Sequence, residues 1–262
     1  MFTIGAITVY AYGFFFALGI VASYLACLFF ARREEQNTGV PWVRHADGAL
    51  VPIVLGGIVG ARLFFVAYQW NFFLQHPWEI ISIWNGGLVL HGGILGGLIA
   101  LWLYSRIRAI HFLNILSFVV LVLPLGQAIG RWGNYFNQEA YGLPTMFPWG
   151  IPIEAFKRVA GYESFPFFHP TFLYESVWDL IVFCILVVLA TQKKLRSGFI
   201  VSSYLILYSI GRFCIEFIRI DPVPVIGGLR VPQWVSLLLI GGGVVFLVHL
   251  LSKKKKSGTI SP

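Results

Sequence analysis

The chain has 262 residues, of which 58% are hydrophobic and only 11% are charged. Soluble domains contain about 45–50% apolar and about 25% charged residues, so this composition excludes a soluble enzyme, a secreted disulfide scaffold and a disordered chain. The net charge of +8 comes largely from basic residues beside apolar stretches and from the run Lys253 to Lys256. That distribution is typical of membrane topology rather than of a nucleic-acid surface.

Apolar stretches of about 20 residues, the length needed to cross a bilayer, recur along the chain. We predict an all-α integral membrane protein with seven transmembrane helices, forming a single transmembrane domain over residues 1–262. The first stretch has no basic segment before it and is long enough to span, which favours a helix over a cleaved signal peptide. The predicted spans are 4–30, 46–69, 86–104, 112–130, 171–191, 198–218 and 231–251.

Basic residues are distributed unequally between the two sides of this arrangement. Lysine and arginine favour cytoplasmic loops, so we predict an N-terminus outside and a C-terminus in the cytoplasm. The connection over residues 131–170, rich in aromatic residues, proline and glycine, then forms an outer-side cap. The cytoplasmic side carries Arg32, Arg33, Arg44, Arg106, Arg108, Lys193, Lys194, Arg196 and Lys253 to Lys256, and the outer side chiefly Lys157, Arg158 and Arg230.

Charged residues in the sixth predicted span call for a specific reason, because each costs about 2.5–3.5 kcal/mol on insertion scales. Four residues in or directly after this span stand out, namely Tyr208, Arg212, Glu216 and Arg219. Their spacing places them on one helical face. Arg212 and Glu216 are also spaced for an i, i+4 ion pair. Two interpretations stay open: an ion pair that holds this span to its neighbours, and an anion site that faces a cavity.

Polar residues are concentrated in the run Gly126–Gly142, at the outer end of the fourth predicted span. Arg131, Asn134 and Gln138 share one face if the helix continues through them. Glu139 follows directly. An arginine in this position can bind a phosphate through two parallel hydrogen bonds, which lysine cannot do. An ordinary capped helix end is the alternative interpretation.

His91 and Arg62 are two further polar residues in glycine-rich apolar spans. A histidine in such a segment is either a core residue with its hydrogen bonds satisfied or a proton acceptor that works near neutral pH. Arg62 lies deep in the second span. It either pairs with a carboxylate of the fifth span, such as Glu175 or Asp179, or takes part in a functional site.

Several motifs of known chemistry do not occur in the chain. HExxH and related zinc patterns are missing, so we predict no metal. Walker and dinucleotide-binding motifs are missing too, so we predict no cofactor. No GxSxG motif appears, which disfavours a serine lipase. Cys27, Cys184 and Cys214 lie in apolar runs without pairing motifs and do not predict a disulfide framework.

The run Gly130-Arg-Trp-Gly-Asn-Tyr-Phe-Asn-Gln-Glu-Ala-Tyr-Gly142 resembles the diagnostic segment of the bacterial prolipoprotein diacylglyceryl transferase family. Shorter matches follow the family's order over most of the chain. They are Tyr12-Gly13, Gly60-Ala-Arg-Leu63, His91-Gly-Gly93, His169-Pro170 with Tyr174-Glu175, and Arg212-Phe-Cys-Ile-Glu216. The chain departs from the family at Leu88-Val89-Leu90, a stretch that usually includes a serine, and at Phe172, where the family usually has glutamine.

This resemblance implies a multi-pass enzyme of the bacterial cytoplasmic (inner) membrane. Such enzymes transfer the diacylglyceryl group of phosphatidylglycerol to the lipobox cysteine of a preprolipoprotein signal peptide. A thioether forms and glycerol phosphate leaves, in the first step of lipoprotein maturation. The implied partners are therefore phosphatidylglycerol, the signal peptide and membrane lipids. By the match, the catalytic residues are His91, Arg131, Glu139, Arg212 and Glu216, and the lipid headgroup is bound by Arg131, Asn134, Arg212, Tyr12 and Gly142.

A hypothesis for the chemistry joins these residues. Arg131 and Arg212 neutralise the phosphodiester, and fixed donors stabilise the leaving phosphate. The nucleophile is the substrate's thiol, whose pKa of about 8.5 means that it needs a base or a positive field. His91 is the candidate base. Glu139 and Glu216 are expected to orient the arginines, because a carboxylate beside the phosphate would repel it.

Two other classes of protein share the intramembrane arginines. An anion transporter would need charged residues along a complete path through the bilayer, whereas the inner halves of the third to sixth spans are poor in charge. A non-catalytic protein that binds anionic lipid would need the basic pocket but neither His91 nor Glu139.

Overall fold

The computed structural model describes residues 2–4, 7–9, 11–192 and 197–257, and most of them are helical. Short 3₁₀ turns lie at Pro77–Ile81, Ile83–Asn85 and Ala155–Lys157. The helices are α1 (Ala11–Thr38), α2 (Trp42–Tyr68), α3 (Trp70–Gln75), α4 (Leu90–Ile107), α5 (Phe112–Asn137), α6 (Thr171–Gln192), α7 (Ser197–Ile215) and α8 (Val231–Ser257).

Within the described ranges, seven of these helices, all except α3, are long and apolar enough to cross a membrane. The prediction of seven helical spans is therefore confirmed. Several bounds differ from the predictions, most of all in α1, which covers Ala11–Thr38 rather than 4–30, and in α5, which continues to Asn137 rather than ending at 130. The predicted basic loop with Lys193, Lys194 and Arg196 lies outside the described residues.

Among the described residues, three short two-stranded antiparallel sheets lie outside the seven long helices. Their strands are β1 (Phe2–Ile4) with β2 (Ile7–Val9), β3 (Ile151–Pro152) with β4 (Phe167–Phe168), and β5 (Val225–Ile226) with β6 (Leu229–Arg230). β2 consists of β-branched residues, two of them apolar, so hydropathy alone merges this strand with the following span. The turn between β5 and β6 has positive φ at Gly227 (57°) and Gly228 (81°), which glycine adopts without strain.

The chain forms two compact units, the first of Met1–Cys27 and Val119–Pro262 and the second of Leu28–Phe118. In the second unit, α2 and α4 pack with their backbones in close contact. A Cβ atom on Gly56 would lie 2.8 Å from the carbonyl oxygen of Gly96. Small residues permit this approach between apolar helices, where larger side chains would separate them.

Arg62 is a buried residue of α2 in the second unit. Its guanidinium donates to the carbonyl oxygens of Ile80 at 2.9 Å and Gly86 at 2.7 Å, and also to that of Glu79. These carbonyls satisfy the charge, and they hold the turns after α3 against α2. The interpretation that Arg62 pairs with a carboxylate of the fifth span is therefore wrong.

In the first unit, α6 and α7 are held together by a tryptophan. Trp178 donates its indole N–H to the carbonyl oxygen of Leu207 at 2.9 Å. Its ring lies directly against Gly211, where no side chain would fit. This contact brings the start of α6 and the end of α7, which carry Glu175 and Arg212, close to each other.

The connection between α5 and α6 folds around a small core of its own. Tyr141, Ile153 and Phe168 are buried in it. The Tyr141 hydroxyl donates to the carbonyl oxygen of Lys157 and accepts the N–H of Val159, both at 2.8 Å. The cap was predicted to begin at residue 131, but α5 includes residues 131–137, so this element begins after Asn137.

Candidate functional site

Four arginines and four carboxylates form one connected cluster in the first unit. They come from α5, α6, α7 and the segment that follows α7. Among the residues that the structure describes, eight ion pairs link them. The members are Arg131, Arg212, Arg219 and Arg230 with Glu175, Asp179, Glu216 and Asp221.

Glu175, near the start of α6, is the carboxylate on which three arginines converge. Its Oε1 accepts from Nη1 of Arg212 at 2.7 Å and from Nη1 of Arg219 at 3.0 Å. Its Oε2 lies 3.0 Å from Nη1 of Arg131. A single buried carboxylate therefore fixes three guanidinium groups that come from different parts of the chain.

Glu216 is the second buried carboxylate of the cluster. Its Oε2 lies 2.7 Å from Nη2 of Arg212, and its Oε1 lies 2.7 Å from Nε of Arg230. The predicted i, i+4 pair of Arg212 and Glu216 is confirmed. The prediction of one helical face was wrong beyond Ile215, where α7 ends; Arg219 reaches the cluster from the turn that follows.

Arg219 supports the cluster from outside the helices. Its Nη2 lies 2.6 Å from Oδ2 of Asp221, and its carbonyl oxygen accepts from Arg230. Burial lowers the pKa of Arg219, but the negative charges of Glu175 and Asp221 raise it by a larger amount. The pKa is therefore above its ordinary value. This guanidinium is therefore a permanent cation of the site.

The two buried glutamates and the two helical arginines of the cluster differ in exposure. The side chains of Glu175 and Glu216 are only 4% and 0% exposed, whereas those of Arg131 and Arg212 are 22% and 21% exposed. The most exposed carboxylate, Asp221, is paired with Arg219 instead. A small molecule that reaches Arg131 and Arg212 therefore meets their guanidinium groups before Glu175 and Glu216. Such a surface is suited to an anion with several oxygen acceptors, such as a phosphate group.

Tyr12 lies at the start of α1 and packs against α5. A Cβ atom on Gly133 would lie 2.9 Å from Cδ2 of the Tyr12 ring, so glycine is required for this contact. Tyr12 also interacts electrostatically with Arg131, as Tyr208 of α7 does. Two of the predicted site residues, Tyr12 and Arg131, are thus neighbours in the fold.

Phe172, one of the departures from the family pattern, is buried beside the site. Its ring centroid lies 5.5 Å from that of Trp132 and 5.1 Å from that of Tyr135. These contacts pack the start of α6 against the part of α5 that carries Trp132 and Tyr135. Phe172 therefore serves α5–α6 packing.

Asn134 and Glu139 form a pair of their own at the end of α5. Asn134 donates from Nδ2 to Oε1 of Glu139 at 2.9 Å, and Asn137 donates to the same oxygen at 3.3 Å. Glu139 therefore orients side-chain amides. Glu139 was expected to orient the arginines. Its side chain instead accepts hydrogen bonds from two asparagines of the described residues.

Gln138 departs from the predicted helical face. Its φ of 54° lies in the left-handed region and ends the helix. Its side chain turns to Glu154, whose backbone N–H donates to Gln138 Oε1 at 2.8 Å. Gln138 therefore stabilises the α5–α6 connection.

Gly142 lies between two backbone segments that leave no space for a side chain. Its N–H donates to the carbonyl oxygen of His169 at 2.9 Å, and a Cβ atom would lie 2.7 Å from the carbonyl oxygen of Ile218. Gly142 also forms an antiparallel bridge with Arg219. This glycine thus joins the α5–α6 connection to the segment that carries Arg219.

His91 belongs to the second unit, where it lies in the first turn of α4. Its side chain is exposed, and its imidazole forms no hydrogen bond with a residue of the described ranges. The interpretation of His91 as a satisfied core residue is therefore wrong.

Sequence reasoning missed the central role of Glu175. It entered only as part of a short family match and as a candidate partner for Arg62. Arg230 and Asp221 were left out of the predicted site, Asp179 entered only as a candidate partner for Arg62, and Arg219 entered only as a member of the polar face of the sixth span. The available signal was the cost of a charged residue within or next to an apolar span, which applies to each of them.

The chemistry of the cluster argues for organic anions rather than for metal ions as ligands. Within the described part of the chain, no group of three or more His, Cys, Asp or Glu residues is arranged to hold a metal ion. Each carboxylate of the cluster instead faces arginine. The site and the fold define a multi-pass membrane protein with an arginine–carboxylate centre.

Comparison with known proteins identifies the family. A model of the prolipoprotein diacylglyceryl transferase family matches residues 1–249. Phosphatidylglycerol–prolipoprotein diacylglyceryl transferases of three bacteria are similar over nearly the whole chain. That of Fervidobacterium nodosum is 38% identical over 98% of this chain and 86% of the relative. Those of Thermotoga maritima and Clostridioides difficile are 39% and 37% identical, each over 98% of this chain, and over 86% and 96% of the relative.

The chain therefore belongs to the prolipoprotein diacylglyceryl transferase family, as its motifs predicted. It is a multi-pass membrane transferase of lipoprotein maturation.

Proposed function

We propose that this transferase moves the diacylglyceryl group of phosphatidylglycerol to the lipobox cysteine of a preprolipoprotein, with Arg131 and Arg212 binding the lipid phosphate. One observation carries the proposal: these two arginines share Glu175 and are the most exposed guanidinium groups of the cluster. Their convergence supports a binding site for one anionic headgroup.

The arginines are already oriented before a ligand arrives. Glu175 holds both guanidinium groups, and Glu216 holds Arg212 through a second nitrogen. Side chains fixed in this way lose little further freedom when the phosphate binds. Their remaining N–H groups are suited to parallel hydrogen bonds with phosphate oxygens.

The reaction replaces one carbon–oxygen bond by one carbon–sulfur bond, and the thiol proton passes to a base. The substrate's cysteine sulfur attacks the glyceryl carbon, and the bond from that carbon to the phosphate oxygen breaks. The electron pair remains on the departing glycerol phosphate, whose growing negative charge is stabilised by Arg131 and Arg212 as fixed donors. The thiol proton passes to a base, which makes the sulfur nucleophilic, and the family resemblance indicates His91 for this role.

The other predicted residues have supporting roles. Tyr12 and Asn134 add neutral hydrogen-bond donors for the headgroup, and Glu139 fixes Asn134 in place. Glu216 orients Arg212. Gly142 acts through close backbone packing beside Arg219.

Orientation follows from the basic residues. Arg32 and Arg33 lie in the last turns of α1, and Arg106 lies at the end of α4. Because such residues favour the cytoplasmic side, the N-terminus faces outside and the C-terminus lies in the cytoplasm. The enzyme then resides in the bacterial cytoplasmic membrane with the α5–α6 connection on the outer side. The family match across both units supports a single transmembrane domain.

The test uses the full-length protein with phosphatidylglycerol and a lipobox peptide, followed by mass spectrometry. We expect a diacylglyceryl thioether on the cysteine and free glycerol phosphate. Lipid binding without product would favour a non-catalytic lipid-binding protein. Release of an anion across a sealed vesicle without product would favour a transporter. Either result would reject the proposed reaction.

A further inference from the structure

Asp179 is the buried carboxyl group that the proposed reaction does not use. It lies one helical turn after Glu175 on α6, and its side chain is 2% exposed. Its ion pair is with Nε of Arg131, at 3.9 Å. Its Oδ2 accepts no hydrogen bond from the residues that the structure describes.

The other three carboxylates of the cluster are held much more closely. Glu175 and Glu216 each have an arginine nitrogen at 2.7 Å, and Asp221 has one at 2.6 Å. The ionised form of a carboxyl group is favoured by close cations and disfavoured by burial and by neighbouring carboxylates. Asp179 is therefore the member of the cluster whose negative charge is least compensated.

The charges of the cluster balance when all its members are ionised, because four arginines face four carboxylates. A phosphodiester adds one negative charge. An uncompensated charge away from water is costly, and a buried group commonly changes its protonation instead. An additional proton on one carboxylate would restore the balance.

The surroundings of Asp179 determine how it responds to this added charge. Four charged or titratable groups face it: Arg131 from α5, Glu175 from its own helix, and Arg212 and Tyr204 from α7. Its two cationic neighbours are the arginines proposed to hold the phosphate. A phosphate bound there takes up part of their positive charge and places a further negative charge near Asp179.

We propose that binding of an anionic phospholipid headgroup at Arg131 and Arg212 is coupled to the uptake of one proton by Asp179, which keeps the cluster neutral. This inference rests on the proposed lipid site. It concerns binding alone, so no covalent bond is formed or broken. Its consequence is that affinity for the lipid falls as pH rises above the range in which Asp179 can be protonated.

The first experiment measures binding of phosphatidylglycerol to the full-length protein in phosphatidylcholine nanodiscs, between about pH 5 and pH 9. No peptide is present, so no product forms. One coupled proton changes affinity by at most about tenfold per pH unit. We expect the wild-type affinity to fall with rising pH. In Asp179→Asn, whose amide resembles the protonated acid, affinity should be independent of pH and equal to that of the wild type at low pH.

Glu163→Gln is the matched control, because it removes an exposed carboxylate outside the cluster. It should keep the pH dependence of the wild type. The inference is overturned if wild-type affinity does not change with pH, or if Asp179→Asn keeps the wild-type dependence.

The second experiment keeps the inference testable even if Asp179→Asn does not fold. Proton uptake is measured with an indicator dye when phosphatidylglycerol is added to weakly buffered wild-type protein. Uptake approaching one proton per lipid supports the inference, and binding without uptake overturns it. Absence of phosphatidylglycerol binding at every pH would instead overturn the proposed lipid site itself.

Discussion

Arg131 and Arg212 bind opposite oxygens of the same carboxylate: Arg131 Nη1 lies 3.0 Å from Glu175 Oε2, and Arg212 Nη1 lies 2.7 Å from Glu175 Oε1. The two arginines come from α5 and α7, and the shared partner comes from α6. Three helices thus meet at one buried carboxyl group. This arrangement holds two cations side by side, which would repel each other without Glu175.

Arg131→Lys tests whether Arg131 binds the lipid phosphate through two parallel hydrogen bonds. Lysine keeps the charge but loses the planar pair of donors, so activity should fall by about 10²–10³-fold, the usual cost of one lost transition-state donor. The measurement is thioether formation at saturating lipid. Arg106→Lys is the control, since Arg106 is exposed at the end of α4. Full activity in Arg131→Lys would remove Arg131 from the phosphate role.

Glu175→Gln removes the carboxylate that three arginines share. Breaking a buried ion-pair network by deleting one partner costs about 3–5 kcal/mol, because the remaining charges stay buried. We expect a lower unfolding temperature and little activity, with partial recovery in Glu175→Asp. Glu163→Gln, which changes an exposed carboxylate, should match the wild type. An unchanged unfolding temperature in Glu175→Gln would contradict the central position of this residue.

His91→Gln tests the proton acceptor. A histidine base produces an ionisation in the rate between about pH 5 and 8, and glutamine cannot replace it. We expect a lower rate whose remaining pH dependence follows the substrate thiol, near about pH 8.5. The comparison needs complete pH–rate profiles of both proteins. Identical profiles would assign the thiol proton to another group.

Gly142→Ala tests close backbone packing. The added Cβ would lie 2.7 Å from the carbonyl oxygen of Ile218 and 2.9 Å from Thr171, so the segment leading to Arg219 must move. Overpacking of this kind costs about 1–3 kcal/mol. We expect lower stability and lower activity. Gly241→Ala is the matched control, since a Cβ atom there meets nothing within 4 Å. Equal behaviour of the two variants would contradict the packing role.

Tyr141→Phe tests the core of the α5–α6 connection. It leaves the Lys157 carbonyl and the Val159 N–H without their partner, at a cost of about 1–3 kcal/mol. Burial raises the pKa of Tyr141 above its ordinary 10.0, so the folded protein holds the phenolic proton more tightly than the unfolded chain. The contribution of the Tyr141 hydroxyl to the free energy of unfolding is therefore present below about pH 10. It is lost as pH rises through the pKa of the folded state.

Unfolding in detergent at several pH values checks this prediction. The difference between wild type and Tyr141→Phe should be constant near neutral pH and shrink in strong alkali. Tyr68→Phe, which changes a phenol that is 82% exposed, should show no difference. A difference that grows in alkali would reverse the assigned sign.

Local properties of the sequence predicted the seven spans and the Arg212–Glu216 pair. Hydropathy is summed over neighbouring residues, and an i, i+4 ion pair depends only on the helical repeat. The bounds of α1 and α5 were wrong because β-branched strand residues have the same hydropathy as a span, and because polar residues do not by themselves end a helix.

Motif order along the chain placed it in its family, since the matching residues can be read one after another without a structure. The hydrogen-bond partners of Arg62 could not be predicted in this way. Backbone carbonyls at residues 79–87 satisfy its guanidinium, and the direction of a carbonyl in a turn depends on dihedral angles that side-chain identity does not determine.

The sequence by itself determined that this protein is a seven-span membrane transferase with arginines in or beside its apolar spans. Only the tertiary structure decided that Glu175 gathers Arg131, Arg212 and Arg219, the last of them 44 positions further along the chain. The physical reason is that ion pairing depends on distance in space. Which charges meet across three helices is set by how their apolar and glycine surfaces pack.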